Sequence, residues 1–205
     1  HQNDLRYVAA RDKWFEYDGR LWRCDEVRLV DDLVRRKCRD AANSHNDPRP
    51  AKALASAKTV DAVKRLARSD RRLAASLQQW DANPWLLNTP AGVIDLRTGL
   101  LRPQVPEDYI TKITSVSPEG DCPIWKSHLL RVMDGNAELV GYLQRVFGYA
   151  LTGVTREHAL FFAFGTGANG KSVTINTVSR ILADYHRSAP IETFAASQTD
   201  RHPTE

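Results

Sequence analysis

The sequence is poor in long apolar runs and in cysteine. Its longest uninterrupted apolar stretch is the six residues of Ala159–Phe164, far too few to cross a bilayer. No charged segment followed by an apolar one opens the chain, so nothing indicates export, and we expect a cytoplasmic protein without a membrane partner. The three cysteines lack C-x-x-C spacing and the six histidines are dispersed. Neither a disulfide framework nor a protein-borne zinc site is therefore indicated.

Positive charge is concentrated in the first part of the chain. Residues 1–80 hold 18 Lys and Arg against 12 Asp and Glu, a net charge of +6, whereas residues 81–205 hold 11 against 13, a net charge of −2. Two interpretations stay open: contact with nucleic-acid phosphates, or the solvated faces of helices. The basic residues form two clusters: Arg35, Arg36, Lys37 and Arg39; and Lys64, Arg65, Arg68, Arg71 and Arg72.

The first 80 residues predict a hairpin followed by helices. Asp18-Gly19 separates two aromatic-rich runs, which is typical of a β-hairpin. Trp14 and Trp22 are then cross-strand partners or base-stacking groups, and packing is the commoner use. Apolar residues at helical spacing predict helices over residues 25–45, 51–69 and 71–79, with Asp-Pro-Arg-Pro at residues 47–50 as the stop after the first.

The middle of the chain changes character. Residues 81–121 are punctuated by proline and glycine. Asp95 is either a turn residue or a catalytic carboxylate, and the absence of a neighbouring acid or metal ligand in the sequence favours the turn. Helices are predicted over residues 123–133, and from an Asn136 cap to about Leu151. Short strands are predicted at residues 85–87, 93–96, 100–102 and 109–116.

Residues 165–172 read GTGANGKS and match G-x-x-x-x-G-K-[ST], the phosphate-binding loop of P-loop NTPases. They follow Ala159–Phe164, a predicted buried parallel strand, and precede a predicted helix over residues 172–183. Glycines leave room for phosphates, and N–H groups at a helix start attract an anion. The pattern predicts that ATP with Mg²⁺ is bound by Gly165, Thr166, Gly167, Ala168, Asn169, Gly170, Lys171 and Ser172.

Two residues of this loop have predicted chemical roles. Lys171 is the predicted catalytic residue, because it would reach the β- and γ-phosphates, and Ser172 is the predicted magnesium ligand. Hydrolysis also needs a carboxylate that positions metal and water. Glu192, Asp200 and Glu205 are the nearest downstream acids, and none follows an apolar strand. We therefore expect little or no turnover from this chain alone. A small-molecule kinase, a transport ATPase and a DNA-binding adaptor without catalytic activity remain alternatives.

These patterns together predict a mixed α/β fold. Residues 1–120 are expected to form a helical region with a β-hairpin, to about residue 80, and a β-rich connector, from there to about residue 120. Residues 121–205 are expected to form a helical lead-in and the first part of an AAA+-like P-loop domain with a parallel sheet, including a further strand near residues 188–194. The chain begins with His1 and ends at Glu205 soon after the loop, as expected of a piece of a longer protein.

The ordered motifs resemble those of phage and plasmid primase–helicases, which join a poxvirus-type N-terminal region to a superfamily 3 helicase domain. The similarity lies in KWFEYDGRLWRCD, NPWLLNTPAGVIDLRTG, DCPIWKSHLLRVMDG, ELVGYLQRVFGYALTG and GTGANGKS. Asn169 before Gly170 is characteristic of that family, whereas Ala91 stands where the family usually has Asn. The resemblance implies an ATP-driven helicase for phage or plasmid DNA replication in a bacterial cell. It also implies single- or double-stranded DNA as partner, a homohexameric ring, and a chain truncated before Walker B, the sensor asparagine and the arginine finger.

Overall fold

A computed structural model describes residues 4–167, 169–190 and 193. Within them, two antiparallel three-stranded sheets and six α-helices form a mixed α/β structure. The first sheet has the order β1 (Leu5–Val8), β2 (Lys13–Tyr17) and β3 (Trp22–Cys24), and the second has the order β4 (Leu86–Thr89), β5 (Gly92–Asp95) and β6 (Leu100–Arg102). The helices are α1 (Leu29–Asn43), α2 (Pro48–Leu54), α3 (Ala57–Ala67), α4 (Pro123–Val132), α5 (Ala137–Ala150) and α6 (Lys171–Leu182).

The predicted hairpin is confirmed as β2 and β3. The Asp18 carboxylate closes its turn by accepting hydrogen bonds from the backbone N–H groups of Arg20 and Leu21, at 2.8 and 3.0 Å. The predicted pairing of the two tryptophans is wrong. Four residues separate β2 from β3, and this turn length places Tyr17 opposite Trp22. Trp14 instead lies opposite Tyr7 of β1. Both tryptophans are buried, so neither offers a base a free face.

An aromatic cluster joins the first sheet to the connector. Trp22 is 1% exposed, and its indole N–H donates to the Pro106 carbonyl at 2.8 Å. Its ring stacks on Tyr109 at 5.9 Å between centroids and meets Trp80 edge-on at 5.6 Å. The Arg6 guanidinium lies over the Trp22 ring. Because one indole contacts both segments, the sheet and the connector share this core.

Helices α1 to α3 follow the predicted order with two corrections. The first helix ends at Asn43, before Asp-Pro-Arg-Pro, as predicted, but the prolines at residues 48 and 50 also begin α2. Asp47 caps the Arg49 N–H, and proline suits the first helical turn. The predicted helix over residues 51–69 is therefore α2 followed by α3, which starts at a Ser56 cap. The predicted helix over residues 71–79 is wrong, since this segment pairs with β1 through Tyr7 and only its end forms a 3₁₀ turn.

The start of α1 depends on one carboxylate. Asp25 accepts hydrogen bonds from the backbone N–H groups of Leu29 and Val30, at 2.8 and 3.1 Å. Removing this cap in Asp25→Ala should lower the free energy of unfolding by about 1–2 kcal/mol. Urea denaturation measures the loss. The control is Glu26→Ala at the neighbouring exposed acid, which should change stability by less than about 0.5 kcal/mol. Equal effects of the two substitutions would contradict the capping role.

The second sheet confirms three of the four strands predicted for the connector, with small shifts at their ends. Residues 109–116 do not form the fourth. They run as an irregular segment whose N–H groups reach different partners, including Asn88 for Thr114 and Ile181 for Ser115. Asp95 is a turn residue, as favoured by the sequence. Its carboxylate accepts the Arg97 N–H at 2.9 Å and pairs with the Arg97 guanidinium.

Asn88 holds three parts of the chain together from a fully buried position. Its side-chain amide donates to the carbonyls of Arg20 and Lys112, both at 3.0 Å, and its backbone N–H donates to the Tyr185 phenol oxygen at 3.0 Å. Burial raises the pKa of Tyr185 to about 12. The Ser115 N–H and hydroxyl bond to carbonyls in the last turn of α6. The end of α6 is thereby attached to the connector.

The parallel strand predicted over Ala159–Phe164 is a wrong prediction. The segment does not form a strand, and the side chains of Phe162 and Phe164 are 78% and 83% exposed. A strand needs a neighbour for its backbone hydrogen bonds, and none lies beside this segment among the residues that the structure describes. The further strand predicted near residues 188–194 lies mostly outside the described residues, and residues 188–190 are not in a strand.

Candidate phosphate-binding site

The predicted phosphate loop leads directly into α6. Gly170 is the N-terminal cap of this helix and has a φ of +79°, a conformation that glycine adopts without a steric cost. The first helical bond runs from the Thr174 N–H to the Gly170 carbonyl at 3.0 Å. The N–H groups that precede Thr174 in this turn have no intrahelical acceptor and are available to an anion. Of the predicted binding residues, Ala168 lies outside the described residues.

The Lys171 ammonium is folded back across the loop. It donates to the carbonyls of Gly165 and Thr166, at 3.0 and 3.3 Å, and to the side-chain oxygen of Asn169 at 2.8 Å. These acceptors are neutral oxygens, whereas hydrogen bonds from an ammonium to phosphate oxygens are charge-assisted and about twice as strong. The ammonium is therefore placed at the centre of the loop, where it can exchange these acceptors for a phosphate.

The Asn169 side chain contacts both ends of the loop, a role that the motif alone does not reveal. Its oxygen accepts from Lys171, and its nitrogen lies so close to Gly165 that a Cβ atom there would meet it within 3.0 Å. Gly165 has a φ of +151°, which also favours glycine. A side chain at residue 165 would thus displace the asparagine. The two ends of the loop are held together by Asn169 through its contacts with Gly165 and Lys171.

Helix α4 forms the opposite wall of the site. The Thr174 hydroxyl is buried and lies 3.1 Å from both the Gly170 carbonyl and the His128 Nε2 atom. A Cβ atom on Gly170 would overlap Val132, so the loop and α4 are in direct contact. A cavity of about 830 Å³ lies between the loop and the α4 residues His128, Arg131 and Val132. Such a volume is within the range of small-ligand sites.

The sequence interpretation treated α4 only as a lead-in and missed this wall. The sequence places His128, Arg131 and Val132 three and four residues apart, and residues at that spacing share one face of a helix. That spacing alone does not say what the face contacts, because the contact with Gly170 joins residues about 40 positions apart in the chain.

Ser172 is in the first turn of α6 and lines the same cavity. Among the residues that the structure describes, no group of three or more His, Cys, Asp or Glu side chains is placed to hold a metal ion. Mg²⁺ commonly takes one or two protein ligands and completes its shell with phosphate oxygens and water. One hydroxyl beside the candidate phosphate-binding loop fits that pattern. The downstream acids Glu192, Asp200 and Glu205 lie outside the described residues.

Five of the nine basic residues in the two clusters form ion pairs with acidic side chains. Arg35 and Arg36 both pair with Asp32, while Lys64 pairs with Asp31 at 3.1 Å. Arg68 pairs with Asp12 at 3.1 Å, and Arg72 pairs with Asp70 at 2.7 Å. The hydrogen bond from Arg72 lowers the pKa of Asp70 to about 2. Five of the nine basic residues therefore face acids, which weakens their field and favours the interpretation as solvated helix faces.

A known protein family matches the first two thirds of the chain. The family model described as D5 N terminal like matches residues 1–134. This region includes both sheets and α1 to α4 and ends before residue 165. A protein of Acanthamoeba polyphaga mimivirus named "Putative helicase L207/L206" is 26% identical over an alignment of 120 residues that covers 56% of this chain. The match spans 12% of the length of that viral protein. No helix in the described part of the chain is both long and apolar enough to span a membrane.

Proposed function

Because the chain belongs to the D5 N terminal like family, we propose that it is the nucleotide-binding part of a primase-associated DNA helicase. In this proposal residues 1–120 are an adaptor, and residues 121–205 begin a superfamily 3 helicase domain that binds ATP and Mg²⁺. The similarity to a viral protein named as a helicase supports the class of activity. DNA is the substrate of the whole protein, and a homohexameric ring is its working assembly.

The observation that carries the proposal is the position of the Lys171 ammonium. It lies among Gly165, Thr166 and Asn169, beside the N–H groups of the first turn of α6, which have no intrahelical acceptor. A charge, a set of backbone donors and a helix dipole thus converge on one cavity, which is what a compact polyanion needs. Ser172 at the same cavity would hold Mg²⁺, which neutralises the phosphates when it is bound.

The chemistry of the described residues is that of binding and orientation. Lys171 would orient the terminal phosphates, and the α6 N–H groups would hold them against the loop. Hydrolysis further requires a carboxylate that positions a water molecule, and commonly an arginine from a neighbouring subunit. In the proposal these groups belong to the complete helicase, so we expect binding to be measurable separately from turnover.

The test is a titration of this chain with a fluorescent ATP analogue and Mg²⁺. Loss of a charged hydrogen-bond donor in Lys171→Ala should weaken binding by about 10- to 100-fold, corresponding to about 1.5–3 kcal/mol. Lys58→Ala, at an exposed position on α3, is the matched control and should bind like the parent chain. Circular dichroism confirms that each variant is folded. Equal affinity of the two variants would rule out Lys171 as a phosphate ligand.

A DNA-binding adaptor without nucleotide binding is the competing function. It predicts salt-sensitive DNA binding through the basic residues of the first 80 positions. The ion pairs at five of the nine clustered cations argue against it, since a paired cation attracts phosphate less strongly. DNA affinity that falls steeply with salt, together with no ATP binding by the folded chain, would favour the adaptor.

A further inference from the structure

The geometry points to α4 as the second wall of the nucleotide site, an inference that rests on the proposed function. Arg131 binds phosphate from the side opposite Lys171, and the nucleoside lies along α4 toward Ile124 and Trp125. The phosphate-loop motif accounts for neither contact, because α4 precedes that loop by some 40 residues in the chain. Helix α4 is thus the element that distinguishes a nucleotide from a bare polyphosphate.

Arg131 is a cation facing the loop. It lines the cavity of about 830 Å³ together with Lys171 and Ser172. Its side chain is exposed and has no hydrogen bond or ion pair within the part of the chain that the structure describes. The two basic clusters of the first 80 residues differ, since five of their nine cations already face acids. An arginine free of carboxylates is suited to bind phosphate through its planar donor fork.

A second cavity continues the first along α4. It has a volume of about 860 Å³ and shares His128, Arg131 and Val173 with the cavity at the loop. Its far end is lined by Ile124, which is 87% exposed, and by Trp125. Asp121 also lines this end, and its carboxylate pairs with the Lys126 ammonium. A nucleotide has a charged end and an aromatic end, and these two joined cavities offer cations at one end and apolar surface at the other.

The aromatic end has a stacked arrangement. The rings of Trp125 and His128 are 5.6 Å apart between centroids, with an angle of 22° between their planes. Base–aromatic stacking does not depend on the identity of the base, because every base has a π-face. His128 also lies 3.1 Å from Thr174 on α6, which fixes α4 relative to the loop. The stacking surface is therefore held at a constant position from the phosphate end.

The experiment compares ATP with inorganic tripolyphosphate, each with Mg²⁺, by calorimetry on the full 205-residue chain. Arg131→Ala should weaken both ligands by about tenfold, because both carry the phosphates. Ile124→Ala should weaken ATP by about threefold to tenfold and leave tripolyphosphate unchanged, because only ATP has a base. Arg39→Ala, an exposed arginine on α1, is the matched control and should leave both affinities unchanged.

A spectroscopic measurement separates contact from a general structural effect. ATP should change the tryptophan fluorescence of the chain, tripolyphosphate should not, and the change should be lost in Trp125→Phe. A parent chain that binds neither ligand would overturn the proposed function itself. A second outcome is that the parent chain binds both ligands and Lys171→Ala binds neither, while Arg131→Ala and Ile124→Ala keep the affinities of the parent chain. That result would overturn the role of α4 and leave the proposed function standing.

Discussion

Trp22→Ala is expected to lower the free energy of unfolding by about 3–5 kcal/mol, the usual cost of deleting a buried tryptophan side chain. The indole is 1% exposed, so its removal leaves a cavity that the surrounding rings of Trp80 and Tyr109 only partly fill. It also leaves the Pro106 carbonyl without its donor. Because these contacts join the first sheet to the connector, loss of the indole should destabilise the sheet and the connector together.

Urea denaturation followed by far-ultraviolet circular dichroism measures this change. The matched variant is Trp22→Phe, which keeps an aromatic ring in the core and removes only the N–H donor and part of the volume. It should cost about 1–2 kcal/mol. A Trp22→Ala chain that unfolds at the urea concentration of the parent would show that the aromatic cluster does not support the fold.

Gly92→Ala is expected to lower the free energy of unfolding by about 2–6 kcal/mol. Gly92 opens β5 with a φ of +147°, a conformation that side chains rarely adopt, and such strain costs about 1–3 kcal/mol. A Cβ atom there would also overlap the backbone carbonyl of Arg102 on β6. Backbone cannot rotate away as a side chain does, so β5 and β6 must separate, which adds about 1–3 kcal/mol.

The control for this variant is Gly19→Ala in the hairpin turn. Gly19 has a φ of +94°, but a Cβ atom added there would have no other atom within 4 Å, so only conformational strain applies and the cost should be about 1 kcal/mol. The difference between the two variants isolates the contact with Arg102. Equal losses in thermal or urea denaturation would contradict a close approach between β5 and β6.

The sequence predicted the elements whose signals are local. The hairpin, α1, α4, α5 and α6 follow from turn residues, caps and helical spacing, as with Asn136, whose side chain accepts the Leu139 N–H. Residues 71–79 were misassigned because their pairing with β1 is a contact between distant segments. The start of α2 at Asp-Pro-Arg-Pro was missed because proline is compatible both with the end of one helix and with the first turn of the next. Ala159–Phe164 shows that apolarity alone does not establish a strand without a partner.

For the candidate site, too, the sequence predicted the residues that are neighbours in the chain and missed the contacts between distant segments. The loop residues are adjacent in the chain, and the motif spans all of them. Asn169 occupies one of its unspecified positions, so its contacts with Gly165 and Lys171 appear only in three dimensions. The α4 wall was missed because its contact with Gly170 spans a long stretch of sequence. Similarly, the pairing of basic clusters with Asp12, Asp31 and Asp32 could not be read from net charge.

Because the end of α6 is attached to the connector, the backbone amide of Asn88 is a reporter of the candidate phosphate-binding site. Helix α6 begins at the loop, and Tyr185, which follows its last turn, accepts the Asn88 backbone N–H. A shift of α6 along its axis would lengthen this bond and expose the amide hydrogen to water. Hydrogen–deuterium exchange at one position of β4 therefore records whether the helix moves when its opposite end gains a ligand.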